Sequence, residues 1–265
     1  MLTKRVISAA VMVPIALVAV WYGAMLFDVV VAAAAAIMAW EWGRLTLGSA
    51  QQRFDLYPAI LAFLTVAVSG AAGYAAGVVL FLAGALLLAM VSGSKAGAAR
   101  LWAIGGFAWI ILPCVGLVWI RNDPVAGGIT VVWIMMTVWA IDTSAYIVGK
   151  SIGGPRLAPW ISPSKTWSGL AGGVAAAGVV GLIAGFSVGG HHPFGVMLIG
   201  VALALVEQSG DLAESFAKRR FGVKDSSDLI PGHGGLLDRL DGMLAVIIAV
   251  VLLDCGLGES VLQWH

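Results

Sequence analysis

The chemically most capable part of the chain is a polar segment from Ser215 to Asp241. It reads SFAKRRFGVKDSSDLIPGHGGLLDRLD and combines lysines and arginines with aspartates, a histidine and a glycine-rich turn. Basic side chains attract phosphates, carboxylates hold metal ions, and glycines let backbone amides approach a ligand. The chain as a whole is strongly apolar, with 60% hydrophobic and 11% charged residues. The segment therefore predicts phosphate chemistry at a lipid surface.

Acidic residues recur at helical spacing just before and into this segment. Glu207, Asp211, Glu214 and Lys218 are separated by four, three and four positions, which places them on one helix face. Stacked carboxylates repel one another unless a cation or a base compensates. We therefore expect Asp211 and Glu214 to bind a metal ion. For Glu207, which we expect below the membrane surface, metal binding and an interhelical hydrogen bond both stay open.

A second acidic pair, Asp238 and Asp241, opens the last apolar run. The glycines at 232, 234 and 235 predict a loop that leads into a helix N-terminus, where free amides and the helix dipole favour anions. One aspartate at such a position would be an ordinary cap. Two of them predict a shared divalent ion, since Mg²⁺ prefers oxygen ligands.

The loop from Lys150 to Thr166 carries a second set of polar residues. Ser162, Lys165 and Thr166 bring hydroxyls, a lysine and helix-terminal amides together, which predicts contact with a triphosphate. The loop does not fit the Walker A pattern. We expect Lys150 and Arg156, by contrast, to rest on anionic lipid headgroups.

Asp142 is a third acidic position, inside a predicted span that also carries Thr143, Ser144 and Tyr146. A membrane helix with these side chains lines something polar. Contact with a metal or nucleotide and a hydrogen bond to the eighth span both stay open.

The elements that must position these residues are membrane helices, each needing about 20 apolar residues. The fold class we predict is an all-α, polytopic integral membrane protein with about nine spans. The spans are Val6–Ala24, Leu26–Leu45, Leu56–Ala72, Tyr74–Val91, Leu101–Ile120, Gly128–Gly149, Trp167–Gly189, Phe194–Leu212 and Asp241–Cys255. We predict an N-terminal scaffold of residues 1–125, with possible dimer contacts, and a catalytic region of residues 126–265 with inner loops 150–166 and 218–240.

The distribution of charge predicts the orientation. With nine spans and a cytoplasmic N-terminus, every Lys and Arg except Arg121 lies on the inner side. This is the asymmetry that the positive-inside rule requires. We therefore expect a multi-pass protein of a bacterial inner membrane, with the active site on the cytoplasmic side and the C-terminus outside.

The polar segment resembles the signature of the phosphatidate cytidylyltransferases, also called CDP-diacylglycerol synthases. The signature positions filled here are Ser215, Lys218, Arg219, Lys224, Asp225, Pro231, His233, Gly234, Gly235, Asp238, Arg239 and Asp241. The stretches 142–146 and 162–166 resemble the same family.

The resemblance implies an enzyme that joins CTP to phosphatidate and releases CDP-diacylglycerol and pyrophosphate. It further implies Mg²⁺, with K⁺ as a second ion, and a homodimer in the membrane; we expect no nucleic-acid partner. Asp211 and Asp238 correspond to the main metal-binding carboxylates, joined in our prediction by Glu214 and Asp241. We assign the chemistry to Asp211, Asp238, Lys218 and Lys224. The predicted substrate contacts are Asp142, Ser162, Lys165, Thr166, Lys218, Arg219, Lys224, His233, Gly234, Gly235 and Arg239.

Three other functions are weighed against this one. A transporter would use the buried acids as a proton or cation path, but it leaves the basic Gly-His-Gly-Gly loop unexplained. An enzyme that consumes CDP-diacylglycerol would need an arginine and further aspartates after Asp241, which the sequence lacks. A CTP-dependent lipid-alcohol kinase would release CDP instead of pyrophosphate.

Overall fold

The computed structural model of the chain describes residues 2–47, 56–91, 97–188, 192–230, 232 and 234–263. Within these ranges the backbone forms nine helices and one two-stranded antiparallel hairpin. In chain order they are α1 Leu2–Tyr22, α2 Ala24–Leu47, α3 Leu56–Ala72, α4 Tyr74–Val91, α5 Gly97–Arg121, α6 Gly127–Ile152, β1 Arg156–Ala158, β2 Ser162–Thr166, α7 Trp167–Ser187, α8 Pro193–Arg220 and α9 Leu237–Leu257.

Six of the described helices are long and apolar enough to cross a membrane: α2, α5, α6, α7, α8 and α9. The remaining three, α1, α3 and α4, contain shorter apolar stretches. The predicted all-α, polytopic membrane class is therefore confirmed. The number of nine spans and the side of the active site stay predictions.

Single glycines separate the paired helices near the N-terminus. Gly23 lies between α1 and α2 with a φ of 63°, and Gly73 lies between α3 and α4 with a φ of 89°. Glycine adopts this left-handed conformation without the steric cost of a Cβ atom. The sequence predicted this first break between Ala24 and Leu26, within three residues of Gly23. Asp28 lies inside α2, where its carboxyl group packs against Gly70 of α3.

The chain divides into two compact units. The first consists of residues 1–122 together with 220–240, and the second consists of residues 123–219 together with 241–265. In the first unit α2 is central and contacts α1, α3 and α5. Much of the polar segment predicted for chemistry, from Arg220 to Leu240, thus belongs to the same unit as the N-terminal helices.

In the second unit, small residues allow close contact between α6, α7 and α8. A Cβ atom at Gly169 would lie 2.8 Å from the carbonyl oxygen of Ala145 in α6. A Cβ atom at Gly181 would lie 2.5 Å from the carbonyl oxygen of Val196 in α8. Small residues at helix interfaces are the usual means of close packing in membranes. The glycines of α7 therefore set the positions of its two neighbours.

The connection between α6 and α7, which we expected to be a non-helical loop, contains a short hairpin. Lys150 lies in the last turn of α6, and Gly153 and Gly154 follow with φ values of 68° and 101°. The chain then forms the β1–β2 hairpin, in which Arg156 pairs with Thr166 and Ala158 with Ser162. Prolines make this segment unsuitable for a helix, and the strand pairing satisfies its backbone groups instead.

Replacing Gly181 with Ala or Val should destabilise the second unit. The new Cβ atom must displace the α8 backbone at Val196, and such overpacking costs about 1–3 kcal/mol. Thermal unfolding in detergent measures the effect as a lower Tm. The control is Gly105→Ala in α5, where a Cβ meets nothing within 4 Å and the helix propensity improves. Equal unfolding temperatures for the two variants would contradict the packing argument.

Candidate active site

A polar cavity of about 810 Å³ lies within the second unit. Its wall is formed by α6, the β1–β2 hairpin, the first turn of α7 and the middle of α8. Side chains that line it and could act chemically are Asp142, Tyr146, Lys150, Arg156, Ser164, Lys165, Thr166, Glu207, Gln208 and Asp211. Four of the residues predicted from the sequence thus share one cavity: Asp142, Lys165, Thr166 and Asp211.

Asp211 and Lys165 form an ion pair in this cavity. Lys165 extends from β2 and Asp211 from α8, so the pair connects the hairpin to the long acidic helix. Ser215 also donates a hydrogen bond to Asp211, with 3.3 Å between the oxygens. The predicted nucleotide-binding lysine and the predicted metal-binding aspartate are therefore close neighbours.

More carboxylates surround Glu207, whose side chain is almost fully buried. Glu207 interacts electrostatically with Asp142, Asp211 and Asp241, as well as with Lys165. Asp241 also interacts with Asp211, Lys165 and Lys218. A Cβ atom at Gly242 would lie 2.6 Å from a Glu207 carboxylate oxygen, so Glu207 directly faces the α9 backbone. The second unit thus gathers four carboxylates near two lysines.

Further along α8, Glu214 and Lys218 form a buried ion pair with 2.5 Å between Nζ and Oε2. Their residues are 2% and 8% exposed. The helical spacing of these acids, predicted from the sequence, is realised in α8, which continues to Arg220 rather than ending near Leu212. The repulsion that we expected a metal to relieve is thus partly relieved by lysines.

The hairpin supplies hydroxyl groups and an N-cap at the start of α7. Thr166 caps the helix, its hydroxyl oxygen accepting a hydrogen bond from the amide of Gly169 at 3.1 Å. Ser162 pairs with Ala158 across the hairpin. Arg219, predicted to bind substrate, donates from Nε to the carbonyl oxygen of Ile161 at 3.4 Å, near the hairpin turn.

The glycine loop belongs to the first unit, where Asp238 is its central acceptor. The Asp238 carboxylate accepts hydrogen bonds from the Ser226 amide at 2.9 Å, the Ser226 hydroxyl at 3.0 Å and the Gly235 amide at 2.7 Å. Gly234 has a φ of 84°, and a Cβ there would lie 2.7 Å from the same carboxylate. The amides before α9, which we expected to favour an anion, are thus partly bound by a carboxylate of the chain itself.

The remaining signature positions differ in exposure. Lys224 and Arg239 are exposed, whereas Asp238 is buried. His233 and Pro231 lie outside the described residues. Across the described ranges, no group of three or more His, Cys, Asp or Glu side chains lies close enough to hold a metal ion. The metal ligands predicted from the sequence stay predictions.

Glu41 is a polar residue that sequence reasoning missed. It lies in α2, is fully buried, and accepts hydrogen bonds from Ser227, Leu236 and Leu237 of the glycine loop. Gln208 of α8 was missed as well and lines the cavity. The available signal for Glu41 was an acidic residue between Trp40 and Trp42 in an apolar run, which is costly in a membrane without partners.

Comparison with known proteins agrees with the signature. The model of the cytidylyltransferase family matches residues 3–255. This chain belongs to that family. The family resemblance predicted from the polar segment is thereby confirmed. The family model also matches the N-terminal helices, which the sequence signature does not include.

Relatives of this cytidylyltransferase family member cover nearly its whole length. A protein from Brucella abortus named phosphatidate cytidylyltransferase is 36% identical over 256 residues, which cover 95% of this chain and 92% of the relative. A protein of the same name from Pseudomonas aeruginosa is 38% identical over 273 aligned residues, covering 97% of this chain and 99% of the relative.

Replacing Lys218 with Met should destabilise the protein strongly, because it leaves Glu214 buried without its ion-pair partner. Breaking one side of a buried pair costs about 3–5 kcal/mol. The double variant Glu214→Gln/Lys218→Met removes both charges and should recover most of the lost Tm in detergent. A double variant that is as unstable as the sum of the two single variants would contradict a coupled pair.

Proposed function

We propose that this chain transfers the cytidylyl group of CTP to phosphatidate, forming CDP-diacylglycerol and pyrophosphate. The observation that carries the proposal is the cavity of the second unit, where Lys165 pairs with Asp211 of α8 and Thr166 lines the same wall. Family membership and the names of the relatives supply the substrates. We further propose a bacterial inner membrane with the cavity open to the cytoplasm.

The reaction is an in-line displacement at phosphorus. A phosphatidate oxygen forms a bond to the α-phosphorus of CTP, and the bond from that phosphorus to the bridging oxygen of the β-phosphate breaks. Because the lipid phosphate is already ionised, no side chain has to remove a proton from it. Catalysis then depends on positioning and on neutralising charge as pyrophosphate leaves.

Basic residues on the cavity wall suit this task. Lys150, Arg156 and Lys165 line the cavity, although we expected Lys150 and Arg156 to rest on lipid headgroups. Phosphates inside the cavity would therefore meet positive charge from α6 and from the hairpin. Lys165 currently pairs with Asp211, and a bound triphosphate would compete for the lysine. The hydroxyl of Ser164 and the cap at Thr166 add neutral polar groups on the same wall. Lys218 and Lys224 remain our further candidates for charge neutralisation.

Mg²⁺ is usually held by one or two carboxylates together with substrate phosphates, so a pair of acids in the second unit suits it although the described residues contain no cluster of three. Glu207, Asp142, Asp211 and Asp241 interact electrostatically, and their oxygens are the ligand type that this ion prefers. Asp211 and Asp241 are the candidates to hold it there. When bound, Mg²⁺ would neutralise phosphate charge during the displacement. Ligation by Asp238 and Glu214, the second ion K⁺ and the homodimer are proposals that rest on the family resemblance.

Purified protein in detergent should convert CTP and phosphatidate into CDP-diacylglycerol and pyrophosphate in the presence of Mg²⁺. Radiolabelled CTP follows the lipid product, and a coupled pyrophosphatase assay follows the leaving group. Release of CDP instead of pyrophosphate would indicate a lipid kinase. Absence of turnover with every divalent ion would favour a transporter, in which the buried Glu207 forms part of an ion path.

Asp211→Asn and Asp238→Asn should each reduce turnover by about 10³-fold or more, since each removes a carboxylate charge from a position of the proposed chemistry. The Tm should change far less than kcat, because an amide can keep part of the hydrogen bonding. Asp228→Asn is the matched control, as Asp228 is an exposed aspartate of the same polar segment. Near wild-type turnover in either of the first two variants would remove that residue from the site.

A further inference from the structure

Glu41 of α2 is a fully buried carboxylate that the proposed chemistry does not use. One of its oxygens accepts from the Ser227 hydroxyl at 2.6 Å and from the Leu236 amide at 2.9 Å. Its other oxygen accepts from the Leu237 amide at 2.8 Å. All of these groups belong to the first unit, but they are separated from Glu41 by about 190 positions in the sequence.

The two amides that Glu41 binds lie at the start of α9, which begins at Leu237. The first amides of a helix have no partner within the helix and carry the positive end of its dipole. Such amides are usually satisfied by a cap only a few residues away. Here the cap comes from a different helix, so Glu41 fixes the N-terminus of α9 to α2.

Asp238 accepts hydrogen bonds from the same loop. It holds the amide and hydroxyl of Ser226 and the amide of Gly235, whereas Glu41 holds Ser227 and the two residues after Gly235. Neighbouring residues at the beginning and at the end of the loop are thus bound by two different carboxylates. A Cβ atom at Gly235 would lie 2.5 Å from a Glu41 oxygen, so the glycine makes this approach possible.

The residue after Glu41 secures the beginning of the same segment. Trp42 donates from its indole nitrogen to the carbonyl oxygen of Trp102 in α5 at 2.8 Å. The Trp102 ring meets the edge of Phe221 with 5.8 Å between centroids. Phe221 is the first residue after α8. Two adjacent residues of α2 thus support both ends of the segment between α8 and α9: Glu41 binds its end directly, and Trp42 supports its beginning through Trp102 of α5.

We propose that Glu41 is a positioning residue that holds Ser227, Leu236 and Leu237 and thereby sets the location of the neighbouring Asp238 carboxylate. In this role Glu41 acts through the backbone amides of Leu236 and Leu237. The expected loss of kcat on changing Glu41 rests on the proposed function, whereas the expected loss of its contacts to Leu236 and Leu237 does not. Through Glu41, helix α2 of the first unit directly supports the glycine loop.

Glu41→Gln is the sharpest substitution, because it keeps the size of the side chain but turns one acceptor oxygen into a donor. The new NH₂ group would lie against either the Leu237 amide or the Ser227 hydroxyl and the Leu236 amide. An NH₂ group cannot accept the hydrogen bonds that these groups donate. The loop should therefore loosen without a cavity being created.

Hydrogen–deuterium exchange of the full-length protein in detergent tests the contact independently of turnover. In Glu41→Gln, the amides of Leu236 and Leu237 should exchange on the order of 10- to 100-fold faster, the change expected for losing a hydrogen bond to a charged group. Exchange in the second half of α9 should stay as in the wild type. Unchanged exchange at 236 and 237 would overturn the proposal.

Kinetics then separate positioning from ordinary stabilisation. In Glu41→Gln, kcat should fall at least about tenfold, whereas the KM for CTP should change less than about threefold, since the cavity of the second unit keeps its lining. The matched control is Asp254→Asn. Like Glu41, Asp254 is a buried carboxylate that accepts a hydrogen bond from a backbone amide, that of Val261 at 2.7 Å. It lies near the C-terminal end of α9, far along the helix from Leu237.

Asp254→Asn should lower Tm while leaving kcat and the exchange of residues 236 and 237 unchanged. If Glu41→Gln lowers Tm to the same extent but keeps the wild-type kcat, Glu41 is only a structural residue and the proposal fails. If the wild-type protein itself does not turn over CTP, the proposed function fails. The exchange result still decides in that case whether Glu41 holds the loop.

Discussion

The structure depends on compensating the charge of carboxylates that lie inside an apolar helical protein. A charged group away from water is costly unless hydrogen bonds or an opposite charge compensate it. Glu41 obtains two amides and a hydroxyl, Asp238 obtains two amides and a hydroxyl, and Glu214 obtains a lysine. These contacts also fix parts of the chain to one another: Glu41 joins α2 to α9, Asp238 holds the glycine loop, and Glu214 joins two turns of α8.

This constraint explains where the glycine loop lies. A loop of polar backbone groups beside apolar helices needs acceptors for its amides. Glu41 and Asp238 provide them, and Gly234 and Gly235 leave room for the carboxylates to approach. The family signature therefore has a structural meaning in the first unit, in addition to any contact that it makes with substrate. Part of what looks like a phosphate-binding turn is a turn that binds the chain's own carboxylates.

The cavity of the second unit follows a different arrangement of charge. Acidic groups of α6, α8 and α9 lie near one another, and basic groups of α6 and the hairpin line the same space. Such a site can bind phosphates on one part of its wall and a cation on another. The Asp211–Lys165 pair joins the two parts, so binding of either ligand changes the charge that the other one meets. The proposed reaction depends on positioning and charge neutralisation, so it calls for no nucleophilic side chain in this cavity.

The sequence alone determined the helical membrane class, the order and approximate bounds of the apolar helices, the acidic face of α8 and the family. These are local properties, because apolar length and 3.6-residue periodicity are written in consecutive residues. Only the tertiary structure showed that the 150–166 connection is a hairpin, that Lys165 meets Asp211, and that Glu41 caps α9. Those contacts join residues far apart in the sequence, and the energy that selects them comes from compensating buried charge and backbone groups in three dimensions. No pattern of neighbouring residues encodes which distant partner a buried carboxylate will find.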